Sequence, residues 1–214
     1  GAWIRDSMAG IGTMTYYDPE TGSFGALGHG ITDSDTGILM PFASGSLLPS
    51  AVKAVKKGAS GEAGELRGDF DLTGDLGDLS ANTSSGIFGT LDPGEFTERL
   101  GDAIPVASAG EVHTGPAAIL ANVEGDAVRE YDIEILQIVE DAADSRDLVI
   151  AVTDPELLSI TGGIVQGMSG SPILQDGKFA GAVTHVLLND PSKGYGILME
   201  TMLEAGDPAA SSVT

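Results

Sequence analysis

Glycine recurs along this chain at about twice the usual frequency: 31 of 214 residues, where average usage of ~7% would give about 15. The glycines are dispersed between short apolar runs, so no regular element can be long. Short strands joined by many turns fit that spacing, and the predicted class is all-β with little helix. Strands are predicted over residues 11–17, 24–27, 50–56, 85–91, 116–123, 131–139, 147–152, 171–174 and 179–188. Asp18-Pro19-Glu20-Thr21-Gly22 is a turn signal between the first two. Asp176-Gly177 marks a hairpin between the last two. Residues 198–205, closed by Gly206, are the best helical stretch. The chain divides near residues 92–105, around Asp92-Pro93-Gly94 and a short helical segment. This gives a first β subdomain over about residues 1–95 and a second over about 105–206. The remainder, 207–214, is rich in Ala, Ser and Pro and is expected to be a mobile tail.

Charge narrows the function classes. Asp and Glu number 32 against 10 Lys and Arg, a net charge of −22. A nucleic-acid partner and an anionic membrane surface both call for Lys/Arg patches, so neither is expected. No apolar run approaches the roughly 18–20 residues of a membrane span, and direct insertion by this chain is not expected. There is no cysteine, hence no disulfide, no thiolate nucleophile and no Cys-based metal site.

Chemistry concentrates in Gly167-Met168-Ser169-Gly170-Ser171-Pro172, which has the form G-x-S-G-x-P. Flexible glycines can expose the Ser169 hydroxyl and aim the N–H groups of Gly167 and Ser169 at one point, as an oxyanion hole requires. Ser171 sits one place before the proline and reads as a packing residue. A serine is a weak nucleophile until a base takes its proton. Only three histidines are available, and His29, in Gly25-Ala26-Leu27-Gly28-His29-Gly30, is the obvious base. Histidine before serine is the order of chymotrypsin-like proteases. The pattern places them in different β halves. The strand at Thr184, His185 and Val186 would line the extended substrate. His113 reads as a surface histidine.

Five segments in one order carry a wider resemblance: Trp3-Ile4-Arg5-Asp6-Ser7, Ala9-Gly10-Ile11-Gly12-Thr13, the His29 segment, Thr161-Gly162-Gly163-Ile164-Val165-Gln166 with the serine motif, and Gly181-Ala182-Val183-Thr184-His185-Val186. Together they resemble the SpoIVB family of serine peptidases, peptidase family S55, over roughly residues 3–206. The resemblance implies a chymotrypsin-like double β-barrel whose cleft brings His29 and Ser169 together, and a serine endopeptidase in proteolytic signalling during sporulation, with a protein or peptide substrate such as a membrane-associated regulatory protein. It implies an extracytoplasmic place between the membranes of the developing spore, and no cofactor. Family members usually carry a membrane anchor and a PDZ domain before the peptidase, and this chain reads as the catalytic domain without them.

The third catalytic residue stays open between several groups. Asp154, in Val152-Thr153-Asp154-Pro155, matches the acid proposed for the SpoIVB family; its plain alternative is a turn cap before Pro155. Chymotrypsin-like enzymes usually draw the acid from the histidine's own half, where Asp78 stands, and a third option is no acid at all. The run Asp69 to Asp75 resembles the start of a calcium loop, but Ser80 stands where the loop's glutamate belongs, so it reads as a solvated acidic loop and no metal is expected. Two other functions compete with the enzyme: a catalytically silent peptide-binding module that keeps the protease cleft, and a metal-regulated interaction domain using the acidic loop.

Overall fold

The computed structural model describes residues 10–33, 35–98, 100–139, 142 and 145–207. The segment from Trp3 to Ser7, Ala9 and the tail beyond Asp207 lie outside the described residues.

The first half contributes β1 (Met14–Tyr17), β2 (Ser23–Ala26), β3 (Ser46–Leu47), β4 (Ser50–Lys56), β5 (Glu65–Phe70), β6 (Gly77–Thr83) and β7 (Gly86–Leu91). A short helix, α1 (Glu95–Glu98), leads into the second half. There follow β8 (Gly115–Ala121), β9 (Arg129–Ile138), β10 (Leu148–Val152), α2 (Pro155–Thr161), β11 (Pro172–Gln175), β12 (Lys178–Val186), β13 (Lys193–Leu198) and α3 (Met199–Gly206).

The second half closes into a six-stranded barrel in the order β10-β13-β12-β11-β8-β9. Its strands alternate as a half-buried sheet must. Along β9, Tyr131, Ile133 and Ile135 are buried while Glu130, Asp132 and Glu134 are exposed. The inward residues meet Ile119, Leu148, Ile150, Ile173 and Val183 in one core. Each such side chain withdrawn from water stabilises the fold by roughly 1.5–3 kcal/mol before entropy is counted. The Asp176-Gly177 turn has both residues at positive φ, 52° and 74°. That is the twist a two-residue hairpin needs, and it pairs Gln175 with Lys178.

The first half is a five-stranded antiparallel sheet, β1-β2-β7-β6-β3, curled around Phe24, Ala26, Ile87 and Leu91. It is a half-barrel rather than a closed one. β3 is only two residues long, and the chain then leaves the sheet to form the separate β4–β5 hairpin. That hairpin reaches across to the second half. Val52 and Gly125 exchange backbone hydrogen bonds, and Gly58 N–H donates to the Thr161 carbonyl. A chymotrypsin-like, mostly β architecture is therefore present, with one barrel closed and one open.

The two halves also share a core. Phe88 of β7, Ala182 of β12, Ile197 of β13 and Met202 of α3 form a buried cluster, with Tyr16 and Ala205 packed against it. Burial there pushes the Tyr16 phenol up to about 12, and the charge of Asp18 adds to the shift. The last helix thus acts as a seam between the halves.

Candidate active site

His29 follows β2 through two consecutive residues in the left-handed region, Leu27 (φ 69°) and Gly28 (φ 68°). For leucine that conformation is strained, of order 1–3 kcal/mol, and persists only where neighbours enforce it. Here Leu27 N–H donates to the Thr13 carbonyl and Gly28 N–H to that of Ala26. Past the histidine, Asn82 of β6 grips the chain from both sides. Its Oδ1 accepts from Ile31 N–H at 2.8 Å, and its Nδ2 donates to the carbonyls of Ile31 and Met40. The His29 Nδ1–H donates to the Gly30 carbonyl at 2.9 Å. A carbonyl can only accept, so Nδ1 carries the proton and Nε2 is left as the basic nitrogen. Burial holds the imidazole pKa below the usual histidine value, against the opposing pull of the Gly30 bond.

Ser169, in the second half, is half-buried, whereas Ser171 is fully buried. The loop turns at Gly167 (φ 99°) and Gly170 (φ 93°). Position 170 admits no side chain at all: a Cβ there would sit 2.1 Å from the Thr13 carbonyl oxygen. The Ser169 hydroxyl donates to the Thr184 carbonyl at 2.9 Å. The neighbouring His185 ring packs on His29, centroid to centroid 4.7 Å with 35° between planes. Adjacent residues of β12 therefore meet both groups, Thr184 through its carbonyl on the Ser169 hydroxyl and His185 through its ring on His29. Among the described residues the N–H groups of Gly167 and Ser169 are engaged by no protein acceptor.

Thr184 is itself held. Its hydroxyl donates to the Ser145 carbonyl at 3.1 Å, and the Ser145 hydroxyl donates to the Ser84 carbonyl at 2.9 Å, in the turn between β6 and β7. Ser145 is buried and sits at φ 57°. It ties the first half to the strand that carries Thr184.

The structure brings His29, Ser169, Gly167, Thr184 and His185 into one cluster. Val186 continues the same strand, half-buried and paired with Gly194. Asp154 stands apart. Its carboxylate accepts from Leu157 N–H at 2.9 Å, as the N-cap of α2, and from Asp132 N–H at 3.4 Å. It makes no hydrogen bond to His29. Asp78 is exposed on β6, paired with Ser46 and Thr90. His113 is exposed and bonds the Asp176 carboxylate at 2.8 Å. In the acidic run, Asp71 closes its own turn by accepting from Thr73. Among the described residues no three acidic or histidine side chains are grouped to hold a metal ion, and no helix is long and apolar enough to cross a membrane.

Motif reading assigned no role to three residues of the site: Thr13, Asn82 and Ser145. Each is a small polar residue of ordinary type. Only Thr13 had a signal, its place in the Gly10-Ile11-Gly12-Thr13 segment.

Two β halves, the first carrying a glycine-flanked histidine and the second a glycine-flanked serine, are the arrangement of the chymotrypsin-like serine proteases, and the chain is of that class with its first barrel open. A profile described as SpoIVB peptidase S55 matches residues 1–203. The chain belongs to that family. Solved structures that match the chain include the Rv3671c protease from M. tuberculosis in its active form, 13% identical, TM-score 0.45, covering 83% of this chain and 95% of that one. An inactive form of Rv3671c is 15% identical, TM-score 0.42, covering 62% and 66%. The HtrA-type protease AlgW with a decapeptide is 12% identical, TM-score 0.42, covering 67% and 42%. No curated protein matches the chain.

Proposed function

We propose that the chain is a serine endopeptidase working through an acyl-enzyme on Ser169, with His29 as general base. One observation carries the reading: Ser169 bonds the Thr184 carbonyl and His29 packs on the next residue's ring, His185, beside the amides of Gly167 and Ser169 that no described residue engages. A peptide substrate would extend along Thr184, His185 and Val186. Catalysis requires the Ser169 hydroxyl to leave the Thr184 carbonyl for Nε2 of His29. Nε2 takes the proton as Oγ bonds to the scissile carbonyl carbon, and the N–H groups of Gly167 and Ser169 bind the oxyanion. On collapse the C–N bond breaks and His29 returns the proton to the leaving amine. His29 then deprotonates a water that attacks the ester, and Ser169 leaves with the proton. In this reading the Gly30 carbonyl holds the tautomer that a carboxylate holds in a triad, and Asp154 is the rival for that task. Family membership supports a role in sporulation signalling, cutting a membrane-associated regulatory protein outside the cytoplasm.

The bond from Ser169 to the Thr184 carbonyl favours a second reading, a peptide-binding module whose serine is parked. Labelling with a serine-reactive fluorophosphonate, followed by peptide mapping, separates the two. The enzyme labels on Ser169. Ser169→Ala abolishes labelling and lowers peptide cleavage by about 10³-fold or more, while Ser171→Ala keeps both. An unlabelled wild-type protein, or equal loss in the two variants, rejects the catalytic assignment.

A further inference from the structure

Four successive carbonyls of the serine loop are each occupied, and three of the four donations come from the first half of the chain. Leu66 N–H, on β5, donates to the Gln166 carbonyl at 2.8 Å. The Thr13 hydroxyl donates to the Gly167 carbonyl at 3.0 Å. Ser171 N–H donates to the Met168 carbonyl, and Thr13 N–H to the Ser169 carbonyl, both at 2.9 Å.

A trans peptide is planar, so its C=O and N–H point in opposite directions. Turning the Gln166 carbonyl onto β5 therefore turns Gly167 N–H away from the hairpin. Turning the Met168 carbonyl onto Ser171 does the same for Ser169 N–H. The peptide between them, Gly167–Met168, is held at both ends. Its carbonyl takes the Thr13 hydroxyl, and Met168 N–H donates to the Val165 carbonyl at 3.1 Å. Among the described residues these bonds leave the amides of Gly167 and Ser169 unengaged. Packing reinforces it, because the buried Leu66 side chain lies under Gly167, 3.0 Å from where a Cβ would be. Thr13 also receives Leu27 N–H on its own carbonyl, so one residue touches both the serine loop and the approach to His29.

We propose that Thr13 and Leu66 are positioning residues that hold the oxyanion hole assembled, with the Thr13 hydroxyl fixing the peptide between the two donors. This assigns a task to the Gly10-Ile11-Gly12-Thr13 segment, and it rests on the reading of Ser169 as nucleophile. Loss of a whole oxyanion donor costs about 10²–10³-fold in kcat, and loosening the frame costs less.

The test compares Thr13→Val, which keeps the shape and removes the hydroxyl, with Thr13→Ser, which keeps the hydroxyl. For Thr13→Val the expected result is kcat lower by about 10- to 100-fold with KM within about twofold. Affinity for a peptide boronate, whose tetrahedral adduct places an oxygen in the hole, falls by a similar factor. The acid midpoint of the pH–rate profile, set by His29, does not move. Thr13→Ser recovers most of the loss. Rates are taken per active site titrated with fluorophosphonate, so an unfolded fraction does not count. Leu66→Ala, which keeps its backbone donor, gives the same pattern more weakly and decides the matter if Thr13→Val fails to fold. The proposal is overturned if Thr13→Val matches wild type per titrated site, or if the serine variant is as slow as the valine one. A wild-type protein that neither labels nor cleaves removes the catalytic reading and this inference with it. An active wild type with an indifferent Thr13 removes the inference alone.

Discussion

Burial of His29 lowers its pKa below the model-compound value of 6.5, and the bond to Gly30 only partly offsets this. Two consequences follow at the level of this residue. The neutral form needed by a general base persists to lower pH, so the acid limb of kcat/KM should inflect below 6.5. In unfolded chains the imidazole protonates near ~6.5, and in the folded protein only at lower pH. Between those values the unfolded state binds more protons. Stability therefore rises with pH through that window and is lost as pH falls through it. His113 has the opposite sign. Its bonds to the Thr114 carbonyl, first, and to Asp176 raise its pKa, so its contribution is full at low pH and fades as pH rises past its folded value. NMR titration of the imidazole protons should place His29 below 6.5 and His113 above it. A His29 midpoint at or above that of His113 contradicts the burial seen here. Both His29 and Ser169 stood out in the chain because glycines flank them. Asn82 and Ser145 did not, because a lone small polar residue acquires meaning only from the carbonyl it happens to face.

At the scale of elements, α2 decides how Asp154 is understood. Asp154 at the N-cap, Pro155 in the first turn and Gly162 at φ 76° after the last are the start and stop marks of a helix. Its seven residues are too few for a visible amphipathic period, so the stretch passed as a turn. The same polarity hid β5 and β6, Glu-Leu-Arg-Gly-Asp-Phe and Gly-Asp-Leu-Ser-Ala-Asn-Thr, which show no apolar run. β13 was masked by its glycines. Asn caps a helix nearly as well as Asp. If the cap is all that Asp154 provides, Asp154→Asn should change Tm and kcat little, and Asp154→Ala should cost about 1 kcal/mol of stability with kcat kept. An orienting acid would behave differently, with Asp154→Asn lowering kcat by orders of magnitude at unchanged Tm. Kinetics and melting curves on both variants, beside Asp78→Asn, separate these readings. We expect the first pattern for Asp154.

For the molecule as a whole, the dominant electrostatic fact is a charge of −22 on 214 residues. The ion pairs seen, such as Lys56–Glu62 and Arg129–Glu156, are exposed, and pairs of that kind contribute about 0–1 kcal/mol each. Salt weakens them slightly but screens the far more numerous repulsions. Repulsion wins, and Tm should rise between dilute buffer and about 0.5 M NaCl. A flat or falling Tm over that range would show that the fold is not limited by repulsion. Local order was legible from the chain alone: apolar runs marked most strands, Asp176-Gly177 marked its hairpin, and five ordered segments marked the family. These depend on neighbours in sequence, through alternation, turn conformation and glycine's freedom. How the halves meet was not legible. The Thr13 hydroxyl and the carbonyl it holds are 154 residues apart, and Ser145 reaches Ser84 across 61. Which donor meets which carbonyl over such separations is set by the packing of two sheets along the Phe88–Met202 seam, and only the tertiary structure decides it.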